Sequence, residues 1–234
     1  MSDPLPEQAA DPQQTNEMRG LETPSVAPSI PHGFRGVIQN RAFLSLWAAQ
    51  VASQTAQNTL WFVLIVLVSQ LTGQSTLSTG ITIILVQLPT VLFSGVSGVF
   101  VDRLPKRSIL IGTNVIRVGG VLLYILFQHD VGLLYLITFL IAIVSQPFAP
   151  AEGSTIPLLV KGQQLISANS LFQLTFMGSQ AVGFAVAPIA LGFLGTRVTL
   201  IMLAAMFAFA AVVLIGLPAS TRKHVSWGKL GAVE

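Results

Sequence analysis

Asp102, Arg103, Lys106 and Arg107 fall within six consecutive positions, and Arg117 follows ten residues later inside an apolar run. A cluster of opposite charges can fasten one helix end to another. A lone arginine among apolar residues has three readings: a contact for a substrate or gate, a structural ion pair, or a side chain that snorkels to the interface. Glu152 stands beside Pro150 and ahead of Gly153-Ser154-Thr155, which reads as an interfacial turn. It either titrates with protons or pairs with Lys161 or the basic 102–107 stretch, and the turn favours pairing. Little other chemistry is on offer. His32, His129 and His224 are widely separated and there is no cysteine, so neither a metal site nor a disulfide framework is expected. No phosphate-binding loop or nucleophile elbow occurs, so the expectation is no cofactor and no enzyme activity.

The elements that must position these residues follow from composition. Of 234 residues, 52% are hydrophobic and 9% charged, and the mean hydropathy is +0.73. Soluble domains carry roughly 25% charged residues, so this chain cannot furnish a solvated surface. Five of the nine acids (Asp3, Glu7, Asp11, Glu17, Glu22) lie in the first 22 positions. That stretch also contains prolines and glutamines without apolar periodicity. Residues 1–37 therefore read as a disordered cytoplasmic tail, because they bury too little to offset ordering entropy. A signal peptide would show a basic start running into an apolar stretch, and neither is present.

From Phe43 onward apolar runs alternate with short polar breaks. A spanning helix needs roughly 17–25 mostly apolar residues. Six runs qualify: Phe43–Leu71, Leu77–Val101, Ser108–Phe127, Val131–Ala149, Leu165–Leu194 and Val198–Leu217. None alternates in polarity as a barrel strand would. The expectation is an all-α membrane protein with a six-helix bundle over residues 38–217. Orientation follows from the basic residues. Arg35, Arg41, Arg103, Lys106, Arg107, Lys161, Arg222, Lys223 and Lys229 share one side, whereas the opposite connections hold only Arg197. Basic loops stay inside, so both termini are expected in the cytoplasm and the protein in the cell membrane, with the bilayer as partner and no nucleic acid. Ser53-Gln54 and Ser145-Gln146 occupy comparable positions in the first and fourth runs, as two inverted three-helix repeats would place them. The dipeptide alone carries no weight.

Gly98-Val-Phe-Val-Asp102-Arg103-Leu-Pro105-Lys106-Arg107 joins the second and third runs. Gly98 and Asp102 share a helix face, and Ser94 with Gly98 forms a small-xxx-small pair that lets another helix approach. Asp102 ends a helix, where the macrodipole disfavours an anion and calls for a cation such as Arg103 or Arg107. This stretch resembles the GxxxDRxGRR signature of the major facilitator superfamily in residues and in position, with Pro105 where the family most often has glycine. The run Ser145-Gln-Pro147-Phe-Ala-Pro150-Ala151-Glu152, then Pro157-Leu-Leu-Val and Leu165-Ile-Ser-Ala168-Asn169, resembles the drug- and siderophore-exporting branch, which includes enterobactin exporters and macrolide-efflux types. The resemblance covers roughly residues 38–220. It implies one half of a major-facilitator fold, with Gly98, Asp102, Arg103, Lys106 and Arg107 as a cytoplasmic gating motif. It also implies a proton-coupled, multidrug-type antiporter that moves small amphipathic molecules by alternating access. Residues 218–234 resemble the start of the family's central cytoplasmic loop. By that reading the chain is the amino-terminal half or fragment of a twelve-span exporter, and its partner is a second six-helix half or, as a half-sized transporter, a second copy. The competing class is a membrane interaction or assembly protein without transport.

Within the runs, Arg117 lies about 15 Å along a helix from Arg107, too far to snorkel fully. A charge at the bilayer centre costs about 2.5–3.5 kcal/mol on insertion scales, so a cavity or partner is expected. Gln50, Gln54, Gln57 and Asn58 share one face and are expected to line a polar path. Gln173 and Gln180 share a face near Phe176 and Met177, which suits either an amphipathic ligand or packing. The candidate substrate or coupling residues are therefore Arg117, Gln50, Gln54, Asn58, Glu152 and Gln173. Because the chain has no cysteine, the topology is directly testable. A cysteine introduced at His129 should react with a membrane-impermeant maleimide on intact cells, whereas one at Lys106 should react only after permeabilisation; the reverse pattern would invert the orientation.

Overall fold

The computed structural model describes residues 33–217, all of whose regular elements are helical. In order they are α1 (Gly33–Gln39), α2 (Arg41–Leu71), α3 (Thr76–Arg103), α4 (Lys106–Leu126), α5 (Val131–Ser145), α6 (Phe148–Leu159) and α7 (Gln163–Ile215). Short polar side chains set the starts. Asn40 Oδ1 accepts from Ala42 N and Phe43 N at 3.1 and 3.2 Å, while its Nδ2 donates to Leu159 O at 2.8 Å. One side chain thus caps α2 and ties it to the end of α6. Ser75 caps α3 and Asp130 caps α5 in the same way. Pro105, at the N-cap of α4, supplies a fixed φ and no side-chain cap.

α7 is far longer than a membrane is thick, and Gly195 resolves this. Its φ of 74° and ψ of 169° fall outside the helical region, in a conformation that glycine alone adopts without strain. Ala168 and Phe172 belong to the same buried cluster as Ala210 and Leu214. Along one straight helix, Ala168 and Ala210 would stand about 63 Å apart. The element is therefore a hairpin with antiparallel arms, 163–194 and 196–215, each long enough to cross a bilayer. Both arms pack on α2, the most enclosed of the membrane-length helices.

The six expected spans are thus present, with shifted bounds. The fourth is made of α5 and α6 joined at Gln146-Pro147, and it runs to Leu159 instead of Ala149. Gly153-Ser154-Thr155 is helical, so the expected interfacial turn is not there. The apolar residues flanking it, Ala151 and Ile156, are buried in the core and hold the helix together through that stretch. Residues 33–37, expected in the tail, are also helical. Val37 is fully buried with Phe43, so an apolar anchor fixes this segment. The rest of the expected tail and the segment 218–234 lie outside the described residues. Pro89 sits inside α3, which continues through it.

Buried apolar residues form two clusters at different heights. One gathers Phe43, Leu46, Leu110, Phe148, Phe172 and Leu214; the other gathers Leu60, Leu64, Tyr124, Leu134, Leu203 and Phe207. Where α2 crosses the first arm of α7, a Cβ on Gly183 would lie 2.7 Å from Asn58 Cβ, 3.0 Å from Thr59 N and 3.2 Å from Thr55 O. Backbone lines two sides of that gap and cannot give way. Gly183→Ala should lower the unfolding midpoint in mixed micelles, by about 1–3 kcal/mol of stability. Gly178→Ala, with nothing within 4 Å of the added carbon, should stay within about 0.5 kcal/mol of wild type.

Candidate functional site

Between the two apolar clusters lies a polar layer, and Arg117 on α4 is its centre. Its side chain is 5% exposed. Nε donates to Ser145 Oγ at 3.0 Å and Nη1 to Ser53 Oγ at 2.9 Å. The guanidinium carbon also lies 4.7 Å from the Phe148 ring centre and 5.6 Å from that of Phe207, within the range of cation–π attraction. One side chain therefore touches α2, α5, α6 and the second arm of α7. The serine on α2 has its direction fixed by a neighbour. Ser53 Oγ donates to Asn114 Oδ1 at 2.9 Å, and Asn114 Nδ2 donates to Leu110 O at 2.9 Å. With its proton committed to Asn114, Ser53 turns lone pairs toward Arg117.

Glu152 on α6 is likewise 5% exposed, and its Oε1 is buried without a hydrogen-bond partner. The partners expected from sequence were Lys161, which is exposed beyond the end of α6, and the basic 102–107 stretch. Among the described residues Glu152 forms an ion pair with neither, because the helix continues past the supposed turn and carries Glu152 into the interior. Arg117 and Glu152 are the only charged side chains buried among the described residues.

A cavity of about 260 Å³ opens on this layer. Gln54, Gln57 and Asn58 line it, as their shared face predicts, together with Arg117, Gln146 and Gln180. Trp61, Tyr124, Phe148 and Phe176 supply its aromatic surface. Three expected residues lie outside it: Glu152, Gln50 and Gln173. Gln50 is buried, but its Nε2 donates to Phe172 O at 3.2 Å and leaves Oε1 unpartnered. Gln173 is exposed. Both sit at the level of the apolar cluster around Phe43 and Phe172, whose rings are 5.5 Å apart, and this cluster closes that end. Gln173 shares a face with Gln180 but stands about 10 Å away along the helix, so periodicity alone could not tell them apart. Ser53, Asn114, Ser145 and Phe207 were not singled out from sequence. The paired Ser-Gln dipeptides were the available signal: both serines hold Arg117 and both following glutamines face the cavity.

The 98–107 motif occupies one end of the bundle. Arg107 Nη2 donates to Ile215 O at the last turn of α7, where a cation also complements the helix dipole. Asp102 and Arg103 are exposed. A Cβ on Gly98 would meet nothing within 4 Å, so the close helix approach expected at Ser94 and Gly98 is not made by the described residues. No group of three His, Cys, Asp or Glu side chains able to hold a metal occurs among them. The serine clasp has a measurable consequence. Ser53→Ala strips an acceptor from buried Arg117 and a donor from Asn114, and should cost about 1–3 kcal/mol. Ser145→Ala, at a less buried position, should cost less in the same unfolding measurement.

Comparison with known proteins adds the remaining evidence. Macrolide efflux protein A of Streptococcus pyogenes is 29% identical over 148 residues, covering 60% of this chain and 36% of that protein. An uncharacterized MFS-type transporter of Bacillus subtilis, YkuC, is 28% identical over 144 residues, covering 60% of this chain and 33% of that protein. The matched stretch thus spans about a third of the length of these relatives. No solved structure matches the chain. The sequence model of the Major Facilitator Superfamily matches residues 46–231, which takes in most of the first span, the other five and the 98–107 motif, and the chain belongs to that family.

Proposed function

We propose that this chain forms the amino-terminal, six-helix half of an exporter of small amphipathic molecules that works by alternating access. The observation that carries the reading is the mid-bundle cavity. It is polar on one wall and aromatic on another, and it sits at the depth where α2, α4 and α5 bring their buried polar groups together. A carrier needs a mid-membrane site that wets a polar group and covers an apolar body. The efflux relative supports the outward direction.

In this reading the protein is a carrier rather than an enzyme, spanning the cell membrane with both termini in the cytoplasm. A second six-helix half, or a second copy of the chain, completes the site. The faces available for it are rich in apolar side chains: Ile84, Val91 and Leu92 on α3, and Leu174, Met177 and Phe184 on the first arm of α7. Gly98, Asp102, Arg103, Lys106 and Arg107 act as the cytoplasmic gate, to which Arg107 contributes a contact with the end of α7. Proton-coupled antiport is assigned to the Arg117–Glu152 couple, since a buried carboxylate near a buried cation changes the charge of the layer when it takes a proton. Gln54 and Asn58 contact the substrate directly. Gln50 and Gln173 act at the closed end, away from the cavity.

The test is accumulation of a fluorescent lipophilic dye in cells expressing the complete coding sequence. Wild type should hold accumulation several-fold below the empty-vector level, and Asp102→Asn should return it toward that level. Equal accumulation with wild type, Asp102→Asn and vector would exclude export.

A further inference from the structure

The charge on the cavity wall narrows the substrate class. Among the described residues Arg117 is the only charged side chain lining it, and no carboxylate does. The guanidinium carries more N–H donors than the two serines accept. Its Nε and Nη1 are held by Ser145 and Ser53, which fixes the plane of the group. The rings of Phe148 and Phe207 restrict it further. A guanidinium whose rotation is arrested and which still has donors to spare is pre-organised to receive a planar anion. Glu152 is buried outside the cavity wall, with its Oε1 unpartnered.

We propose that the cavity takes small aromatic or apolar monoanions, carboxylates foremost, with the anionic group on Arg117 and the apolar body against Trp61, Tyr124 and Phe176. This deepens the transport reading, on which it rests, by naming the class of molecule carried. The desolvated cation has serine hydroxyls and aromatic rings against it, so an anion arriving from water relieves it. A neutral isostere of the same size does not. A cationic ligand meets like charge. The cavity volume of about 260 Å³ accommodates a single substituted ring.

Radiolabelled benzoate and benzamide, nearly isosteric and differing in charge, distinguish the possibilities. Their binding is measured by scintillation proximity to the full chain in nanodiscs of neutral lipid, with protein-free nanodiscs subtracted. Wild type should bind benzoate about tenfold more tightly than benzamide, the discrimination of one charge-assisted contact. Arg117→Gln should abolish the preference, and Arg117→Lys should retain part of it. Equal binding of both probes by wild type would overturn the proposal. So would a preference that survives Arg117→Gln. The assay reads binding and not export. A chain that discriminates the probes yet fails to lower dye accumulation would therefore sink the transport reading while leaving the anion site standing.

Discussion

A permanent positive charge buried in the middle of a membrane bundle is the constraint around which this structure is arranged. Arg117 cannot shed its proton and cannot reach water along its helix. The surrounding elements must therefore come to it. α2 brings Ser53, α5 brings Ser145, α6 brings Phe148, and the second arm of α7 brings Phe207. Each contact is modest alone. Together they set the mutual height of four helices, since moving any one by a turn would leave a donor of Arg117 in an apolar setting.

The apolar clusters above and below that layer depend on the same register. Residues of α2 before Ser53 join one cluster and those after it join the other, and α4 divides in the same way around Arg117. Side chains without polar groups would pack at many heights, because lipid and core are equally apolar and shape alone distinguishes them. The polar layer removes that freedom. Close approach then becomes possible where glycine permits it, at Gly183 against α2 and at Gly120, where an added Cβ would meet Ile141 Cδ1. The cavity is what remains beside the layer. On its wall Asn58 and Gln146 donate to carbonyls of their own helices, Gln54 O and Ala142 O, which keeps these side chains on the wall instead of filling the space.

The 98–107 motif works at a distance from this layer and by other means. Arg107 closes the end of α7, so the loop between the second and third spans is joined to the last span of the bundle. Gly98 and much of α3 remain uncovered. A helix with an apolar face and small residues along it offers a surface on which a neighbouring bundle could slide. The polar layer and the motif thus divide the labour, one setting the interior and the other the end at which the halves would meet.

The sequence by itself determined the class of the protein, the number and order of its spans, the motif and the importance of Arg117. These are local properties: hydropathy over some twenty residues, a charge where hydrocarbon should be, a signature at a fixed spacing. It also put Gln54, Gln57 and Asn58 on one face, because helical periodicity aligns neighbouring turns, and that face lines the cavity. It misjudged Glu152, since Gly-Ser-Thr is a turn signal in water but remains helical where a membrane-buried backbone has no other partner. It could not separate Gln180 from Gln173, or Gln54 from Gln50, because a cavity has a height that a period does not encode. The pairing of Arg117 with Ser53 and Ser145 was decided only by the tertiary structure. Residues 28 and 64 positions apart meet because the loops, the Gly195 reversal and the packing of whole helices bring them to one level, and no local pattern specifies that level.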